Sequence, residues 1–318
     1  MTATSEGARG PRLSLIAATF TAFAEDGALD VAPIEAQAVQ LVEDGVRGAF
    51  VCGSTGEGPA LTSAERAAVA ERWCEVAGDK LRIIVQVGHA SLPEACALAE
   101  RAAAAGAHAI AAVPPFYYPP GTVDELVACC AEIAAAAPGI PFVYYHIPAR
   151  TGVRLPMPPF IRAARERIPS FGGLKFTHTD LVEMARCVEA AAETDGVEVL
   201  SGPDDLLLDA LVAGVRGAVG SSYNFAAPLF QAIGDAFDAG DMARAIELQA
   251  RARRLVDLGH RHGGLPAFKA LGSLRGVEVG GCRLPLGSLD AAGRAALREE
   301  AAALGLLDAI GSGATRVV

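Results

Sequence analysis

A lysine at the end of a short apolar segment is the residue best suited to chemistry in this sequence. The chain has 27 lysine and arginine residues, and only three are lysines: Lys80, Lys175 and Lys269. Lys175 lies between Leu174 and Phe176, where an apolar run gives way to polar residues. Burial of an amine disfavours its ammonium form and lowers its pKa, so the amine can attack a carbonyl carbon, which arginine cannot do. Buried lysines also pair with carboxylates for structural reasons, so this segment alone leaves both interpretations open.

Polar residues follow two other apolar runs. Ser54 and Thr55 lie among the glycines of Gly53–Gly58, a loop that can bind a carboxylate or phosphate through N–H and hydroxyl groups or form a capped turn. Asp204 and Asp205 follow a later run, where they either cap a helix or accept hydrogen bonds from a polyol. The residue types favour ligand binding only if these segments meet at one place.

Tyrosines follow two further runs. Tyr117 and Tyr118 come after the fourth predicted strand, and Tyr144 and Tyr145 end the fifth. A phenol can relay protons, or it can fill the rim of a barrel. We expect three or four tyrosines to share one mouth, and we expect His146 to be structural because it faces away from Tyr145 in a pleated strand.

Apolar runs that alternate with Ala-rich amphipathic stretches predict the elements that position these residues. Continuous apolar strands between helices indicate parallel strands covered on both faces. The predicted strands are Leu15–Phe23, Gly48–Gly53, Ile83–Gly88, Ala109–Pro114, Phe142–Ile147, Phe171–Phe176, Val197–Gly202 and Gly217–Ser221. Eight such units match an α/β fold of the (β/α)8 TIM-barrel type, whose active site lies at the C-terminal strand ends. A doubly wound sheet is the alternative, but no Gly-rich phosphate loop follows the first strand.

The same pattern predicts the domain organisation. Residues 1–12 are expected to form a flexible tail, and residues 13–239 a catalytic barrel. Residues 240–308 are expected to form a C-terminal helical extension, with helices at Met242–Leu258, Leu265–Leu274 and Leu289–Leu304, and residues 309–318 a second tail. The apolar run from Leu13 to Ala24 resembles a secretory signal, but its hydroxyl residues and the turn that follows favour a buried strand.

Composition excludes several classes of protein. A formal net charge of −10 argues against nucleic acid or an anionic membrane as partner. The seven scattered cysteines form no C-x-x-C pair, and the six histidines form no H-x-x-x-H pattern, so we expect reduced thiols in a cytoplasmic protein without a metal site.

Taken together, these segments resemble the N-acetylneuraminate lyase and dihydrodipicolinate synthase family of class I aldolases. The matching motifs are Gly53-Ser-Thr-Gly-Glu57, Tyr145-His-Ile-Pro148 and Gly173-Leu-Lys175. The resemblance extends from Leu13 to about Leu304 and is strongest to the lyases in the segments around Lys175 and Tyr223. It implies a homotetramer that acts on a keto acid or sugar acid and needs no cofactor beyond a covalent Schiff base on Lys175.

The resemblance also implies individual roles. Lys175 would form the imine, and Tyr145 would carry a proton to or from the aldol hydroxyl in a relay with Ser54 and with Tyr117 of a neighbouring subunit. Ser54 and Thr55 would hold the keto-acid carboxylate. The remaining sugar-binding positions would be Thr177, Gly202, Asp204, Asp205 and Ser221.

Two departures leave the substrate open. Arg150 replaces an apolar residue of the lyases and resembles the arginine with which the synthases gather carboxylates. Asp205 replaces the usual glutamate of the lyases and reaches less far. The sequence therefore predicts cleavage of N-acetylneuraminate or a related sialic acid to pyruvate and N-acetylmannosamine. The alternatives are condensation of pyruvate with aspartate semialdehyde, another 2-keto-3-deoxy sugar acid aldolase or dehydratase, and a keto-acid sensor without catalysis.

Overall fold

The computed structural model describes residues 12–310, in which short strands alternate with helices along the chain. The strands are β1 Ser14–Ala18, β2 Ala22–Phe23, β3 Leu29–Asp30, β4 Gly48–Val51, β5 Arg82–Gln86, β6 Ala109–Ala112, β7 Phe142–His146, β8 Phe171–Phe176, β9 Glu198–Ser201 and β10 Gly217–Gly220. The helices are α1 Ile34–Glu43, α2 Ser63–Ala77, α3 Leu92–Ala104, α4 Val123–Ala135, α5 Pro148–Thr151, α6 Met157–Arg167, α7 Leu181–Ala192, α8 Leu207–Val212, α9 Tyr223–Asp238, α10 Met242–Arg261, α11 Leu265–Ser273, α12 Ala291–Ala303 and α13 Leu307–Ile310. Two 3-10 turns span Gly58–Ala60 and Asp204–Leu206.

Eight of these strands form a closed parallel barrel. Their order around the barrel is β1, β10, β9, β8, β7, β6, β5 and β4, and β4 pairs with β1 to complete it. Helices cover the outside, so each strand is buried on both faces, as its apolar sequence requires. The predicted (β/α)8 TIM barrel with C-terminal helices is therefore confirmed.

Strand alternation divides the core into two layers. On β7, Phe142 and Tyr144 belong to the outer core between strands and helices, whereas Val143 and Tyr145 belong to the small cluster inside the barrel. The same period of two on β8 sends Leu174 outward and Lys175 inward. The barrel interior is therefore where the reactive amine and a phenol can meet.

The first predicted strand is shorter than expected. The strand ends at Ala18, and the rest of the apolar run forms β2, which pairs antiparallel with β3 across the turn that begins at Glu25. The run from Leu13 is thus a barrel strand followed by one side of a hairpin.

The chain after α9 is helical, and α10 packs along α9 outside the barrel. The last helix reaches Ile310 and buries Ala309 and Ile310. Helical structure therefore extends two residues into the stretch predicted as a tail. The predicted tail at residues 1–12 falls outside the described residues except for Arg12, and so does the remainder of the predicted C-terminal tail. Within residues 12–310 no helix is long and apolar enough to cross a membrane.

Candidate active site

The side chains of Lys175 and Tyr145 lie side by side inside the barrel. The two residues are register partners on β8 and β7, and each is 3% exposed. Lys175 Nζ lies 4.0 Å from the centre of the Tyr145 ring and 3.9 Å from the centre of the Phe50 ring, and the two rings meet edge to face. The amine is held between two aromatic side chains, which fix its position and shield it from water.

Burial sets the protonation state of this amine. It lowers the pKa of Lys175 from 10.5 to about 7, against the opposing charge of Asp204. Burial also raises the pKa of Asp204 to about 6, although the Ser222 N–H donates to its Oδ2 at 2.9 Å. At neutral pH a substantial fraction of Lys175 is therefore the free amine, the form that attacks a carbonyl.

Two hydroxyl groups line the mouth beside this pair. Ser54 Oγ lies 3.4 Å from Tyr145 Oη, a long hydrogen-bond distance, and Thr55 Oγ1 lies 2.6 Å from Ser221 Oγ. Within residues 12–310 the backbone N–H groups of Ser54 and Thr55 make no hydrogen bond to another backbone group. Hydroxyl groups and free N–H groups in one loop can hold an anionic oxygen. The loop can thus bind a carboxylate next to Tyr145.

The same loop is held in a strained backbone conformation. Cys52 and Glu57 have left-handed φ values of 58° and 54°, which cost about 1–2 kcal/mol per residue for an L-amino acid. The Glu57 carboxylate is fully buried; its Oε1 lies 2.6 Å from Lys269 Nζ, and its Oε2 accepts the Arg283 N–H at 2.9 Å. Residues from the C-terminal extension therefore maintain the loop that presents Ser54 and Thr55.

A second support from the extension reaches the turn that carries Asp204 and Asp205. The buried Gln249 on α10 accepts the Leu208 N–H at 2.8 Å and donates to the Asp205 carbonyl at 3.0 Å. Arg253 Nε donates to that same carbonyl at 2.9 Å. The helical extension thus fixes two loops of the barrel mouth.

Gly202 and Gly220 have no side chain, so neighbouring side chains pack directly against their backbone. A Cβ on Gly202 would lie 1.9 Å from Thr177 Oγ1, and a Cβ on Gly220 would lie 1.8 Å from Asp204 Oδ1. Any larger residue would displace the side chain that packs there. Gly202 therefore contributes through its lack of a side chain, because Thr177 occupies that space.

Several buried polar atoms at the ends of β8, β9 and β10 are unpaired. Within the described part of the chain, no well-aligned hydrogen bond is made by Thr177 Oγ1, Ser201 Oγ, Asp204 Oδ1 or Ser222 Oγ. A buried polar atom without a partner is costly. Thr177 continues the inward alternation of Lys175, so its hydroxyl and Asp204 Oδ1 suit a ligand with hydroxyl groups, whereas Ser201 alternates with the inward-facing Leu200 and points outward.

The remaining predicted site residues are Tyr117, Arg150 and Asp205, and each is at least partly exposed. Tyr117 is 74% exposed and packs its ring on Tyr118, with centroids 4.9 Å apart; among the described residues it makes no hydrogen bond to Tyr145. Arg150 is exposed at the end of α5, and the Asp205 side chain is half-buried. Burial raises the pKa of Tyr145, while the Ser54 hydroxyl, the Thr177 hydroxyl and then the Arg150 charge act to lower it, so Arg150 lies close enough to affect the phenol.

The expectation that Tyr144 shares the barrel mouth with the other tyrosines is wrong. Tyr144 faces the outer core and packs on Phe160, with ring centroids 4.6 Å apart, because neighbouring residues of a strand point to opposite faces. Of the four tyrosines, Tyr145 is the one in the cluster inside the barrel.

Sequence reasoning missed four residues that shape the site. Phe50 lies within the predicted strand Gly48–Gly53, but nothing local to that strand indicates that its ring packs on the Lys175 amine. Glu57, Lys269 and Gln249 gave no local signal, because their partners lie far away in the sequence. Only Glu57, inside the glycine-rich loop, could have been suspected.

The barrel, with its buried lysine beside a phenol, belongs to a lyase of the class I aldolase type. The chain belongs to the dihydrodipicolinate synthetase family, whose model matches residues 12–304. It is 41% identical over 276 residues to the N-acetylneuraminate lyase of Pongo abelii, a match that covers 86% of each chain.

Solved structures agree with this assignment. The N-acetylneuraminate lyase of Aliivibrio salmonicida is 38% identical with a TM-score of 0.89, and the match covers 94% of this chain and 99% of that one. The N-acetylneuraminate lyase of Proteus mirabilis has the same TM-score of 0.89 at 34% identity and covers 93% and 99% of the two chains. The family resemblance seen in the sequence is therefore confirmed.

Proposed function

We propose that this protein cleaves N-acetylneuraminate, or a closely related sialic acid, to pyruvate and N-acetylmannosamine. The observation that carries the proposal is the desolvated Lys175 amine beside the Tyr145 phenol, at 4.0 Å from its ring. The two lyase relatives with solved structures and the curated relative named above bear the same activity in their names.

The lysine supplies the electron sink for carbon–carbon cleavage. The free amine of Lys175 attacks the keto carbon C2 of the open-chain sugar acid, and water leaves as the iminium forms. The C3–C4 bond then breaks with its electron pair moving to C3, which gives an enamine and releases the aldehyde of the aminosugar. Protonation at C3 and hydrolysis of the imine release pyruvate and regenerate the amine. These steps require no bound cofactor.

Tyr145 moves the proton of the C4 hydroxyl. Burial raises the pKa of Tyr145, so the phenol is protonated at neutral pH. It therefore relays a proton and does not act as a phenolate base. It takes the C4 proton as it passes its own to Ser54 Oγ, 3.4 Å away. In the proposed homotetramer, Tyr117 of a neighbouring subunit completes the relay, which accounts for its exposure in the single chain.

The unpaired polar atoms around Asp204 hold the sugar chain. Ser54 and Thr55 bind the carboxylate, and Ser221, bonded to Thr55 at 2.6 Å, keeps that hydroxyl in place. Thr177 Oγ1 and Asp204 Oδ1 bind hydroxyl groups of the sugar chain. Gly202 leaves the space that the Thr177 side chain occupies. The carboxylate of Asp205 is half-buried and accepts a more distant hydroxyl.

A second candidate is a synthase that condenses pyruvate with aspartate semialdehyde. The observation in its favour is Arg150, an exposed guanidinium near Tyr145 that can attract a second carboxylate. Another 2-keto-3-deoxy sugar acid would use the same imine. Both alternatives differ from the first proposal in the aldehyde partner and not in the chemistry of Lys175.

Pyruvate release from N-acetylneuraminate, coupled to NADH oxidation, tests the proposal. We expect turnover by the native chain, none by Lys175→Ala, and full turnover by Lys80→Ala, a matched change at an exposed lysine. Borohydride with pyruvate should add mass to Lys175 only. Trapping without turnover would reject the sialic acid and favour the synthase, for which Arg150→Leu would lose activity while Arg154→Leu would not.

Surviving turnover in Lys175→Ala would reject the imine mechanism itself. A native chain that neither turns over nor traps pyruvate would instead be a passive keto-acid binder. The homotetramer and the cytoplasmic location stay predictions of the sequence.

A further inference from the structure

Two histidines and a glutamate cluster behind the strands that carry the reactive pair. His146 ends β7 on its outer face, His178 follows β8, and Glu183 lies in the first turn of α7. One ring nitrogen from each histidine and one carboxylate oxygen lie within 4.8 Å of one another. The cluster is separate from the proposed active site because His146 faces away from Tyr145, which points into the barrel.

His146 contributes a buried nitrogen without a partner. The side chain is 2% exposed, and its Nδ1 makes no hydrogen bond with any residue in 12–310. The ring packs against Phe176 and His178, with centroids 5.3 Å and 6.0 Å away. A buried ring nitrogen without a partner can act as a metal ligand.

Backbone groups orient the other two side chains. His178 Nδ1 accepts the Asp180 N–H at 3.4 Å, a long and weak bond that a metal ion bound at either ring nitrogen would replace, because Nε2 carries the proton while Nδ1 accepts. Glu183 Oε1 accepts the Met157 N–H at 3.0 Å and leaves its second oxygen available. The hydrogen bond to Glu183, made by the oxygen that does not bind the metal, orients that carboxylate as such bonds do in metal sites.

We propose that His146, His178 and Glu183 bind a divalent transition metal ion of the zinc type on the outer face of the barrel. Two imidazoles and one carboxylate are a donor set that suits Zn²⁺, with water as the fourth ligand. Tetrahedral bonds of about 2.0–2.2 Å place ligand atoms roughly 3.4 Å apart, so the cluster must contract slightly. His178 and Glu183 are only partly buried, and their side chains can make this movement.

Such an ion would connect β7 and β8 to the start of α7. These are the strands that carry Tyr145 and Lys175 on their inner face. Because the folded chain would bind the ion and the unfolded chain would not hold these ligands together, metal binding would raise the melting temperature.

Titration of the full chain with zinc chloride tests the proposal. The protein is first dialysed against a chelator and then titrated in a calorimeter, with Co²⁺ as a second probe whose absorption separates nitrogen and oxygen ligands from thiolates. The variants are Glu183→Gln, which keeps the acceptor for Met157, and His178→Asn. The matched control is His89→Asn, because His89 Nδ1 also accepts the N–H of the second residue after it, at 2.9 Å.

We expect one equivalent of Zn²⁺ per chain and a higher melting temperature with zinc. Both variants should weaken binding by about tenfold or more, while His89→Asn binds as the native chain does. Equal binding by His178→Asn and His89→Asn, a thiolate spectrum with Co²⁺, or no binding by the native chain would overturn the proposal. None of these outcomes depends on the substrate of the enzyme.

Discussion

Lys269 Nζ lies 2.6 Å from Glu57 Oε1, and the two side chains are 1% and 0% exposed. The pair joins α11 of the C-terminal extension to the loop that presents Ser54 and Thr55. Lys269 Nζ also donates to the Gly281 carbonyl at 2.6 Å, so the amine is anchored at two points. A buried ion pair couples its two segments strongly, because the loss of either partner leaves an uncompensated charge.

Lys269→Met should therefore destabilise the fold by about 3–5 kcal/mol, measured by urea unfolding. The double variant Glu57→Gln with Lys269→Met should lose less than the sum of the two single changes, since neither charge is then left alone. Arg244→Met is the control: its ion pair with Glu247 is exposed, so the cost should stay below about 1 kcal/mol. An equally small loss for Lys269→Met would show that the buried pair does not hold the loop.

The reactivity of Lys175 should rise as the pH passes through about 7, because burial lowers its pKa to that value. A trace amine-modifying reagent, applied from pH 5 to about 9 and followed by peptide mass spectrometry, measures this rise. Lys80, which is exposed, is the reference within the same digest. Lys175 labelling that rises only toward pH 10.5, the ordinary value, would mean that the amine is not desolvated.

The same burial should make stability depend on pH. The pKa of Lys175 is about 7 when folded and 10.5 as its ordinary value, so between these values the unfolded chain binds more protons and stability rises with pH. Lys175→Met removes this contribution. The free energy of unfolding of Lys175→Met should exceed that of the native chain most below pH 7, and the difference should shrink as the pH approaches 10.5. A difference independent of pH would contradict the shift.

Asp204→Asn should move the titration of Lys175 to lower pH. The Asp204 carboxylate opposes the effect of burial on the Lys175 pKa, and its removal leaves desolvation unopposed. The labelling experiment described above would show the shift directly. Asp205→Asn is the matched control, because no effect of Asp205 on Lys175 is found. An unchanged midpoint in Asp204→Asn would show that the two groups are not coupled.

Tyr145→Phe should lower turnover by about 10²–10⁴-fold while borohydride still traps pyruvate on Lys175. The change removes the hydroxyl that lies 3.4 Å from Ser54 Oγ and keeps the ring against the amine. Tyr144→Phe is the neighbouring control: its hydroxyl is buried on the outer face and unpaired within residues 12–310, so activity should be unchanged. Equal activity of both variants would remove Tyr145 from the proton path.

Local patterns were enough to predict much of the fold. Apolar strands of four to six residues between amphipathic helices can only be buried on both faces, so the barrel followed from the sequence. The period of two placed Tyr145 and His146 on opposite faces, and it should also have turned Tyr144 outward. The first strand was predicted too long because Ala22 and Phe23 are as apolar as the strand before them, and only pairing with β3 separates them.

The sequence by itself determined the reactive amine, the adjacent phenol and the polar strand ends, because these depend on residue type and strand period. Tertiary structure decided what surrounds them. The closed barrel brings distant segments together. As a result Glu57 pairs with Lys269, Gln249 hydrogen-bonds to the Asp205 carbonyl, and His146 lies near Glu183. Burial then shifted the pKa of Lys175 to about 7, and burial is a property of the whole fold that no single segment carries.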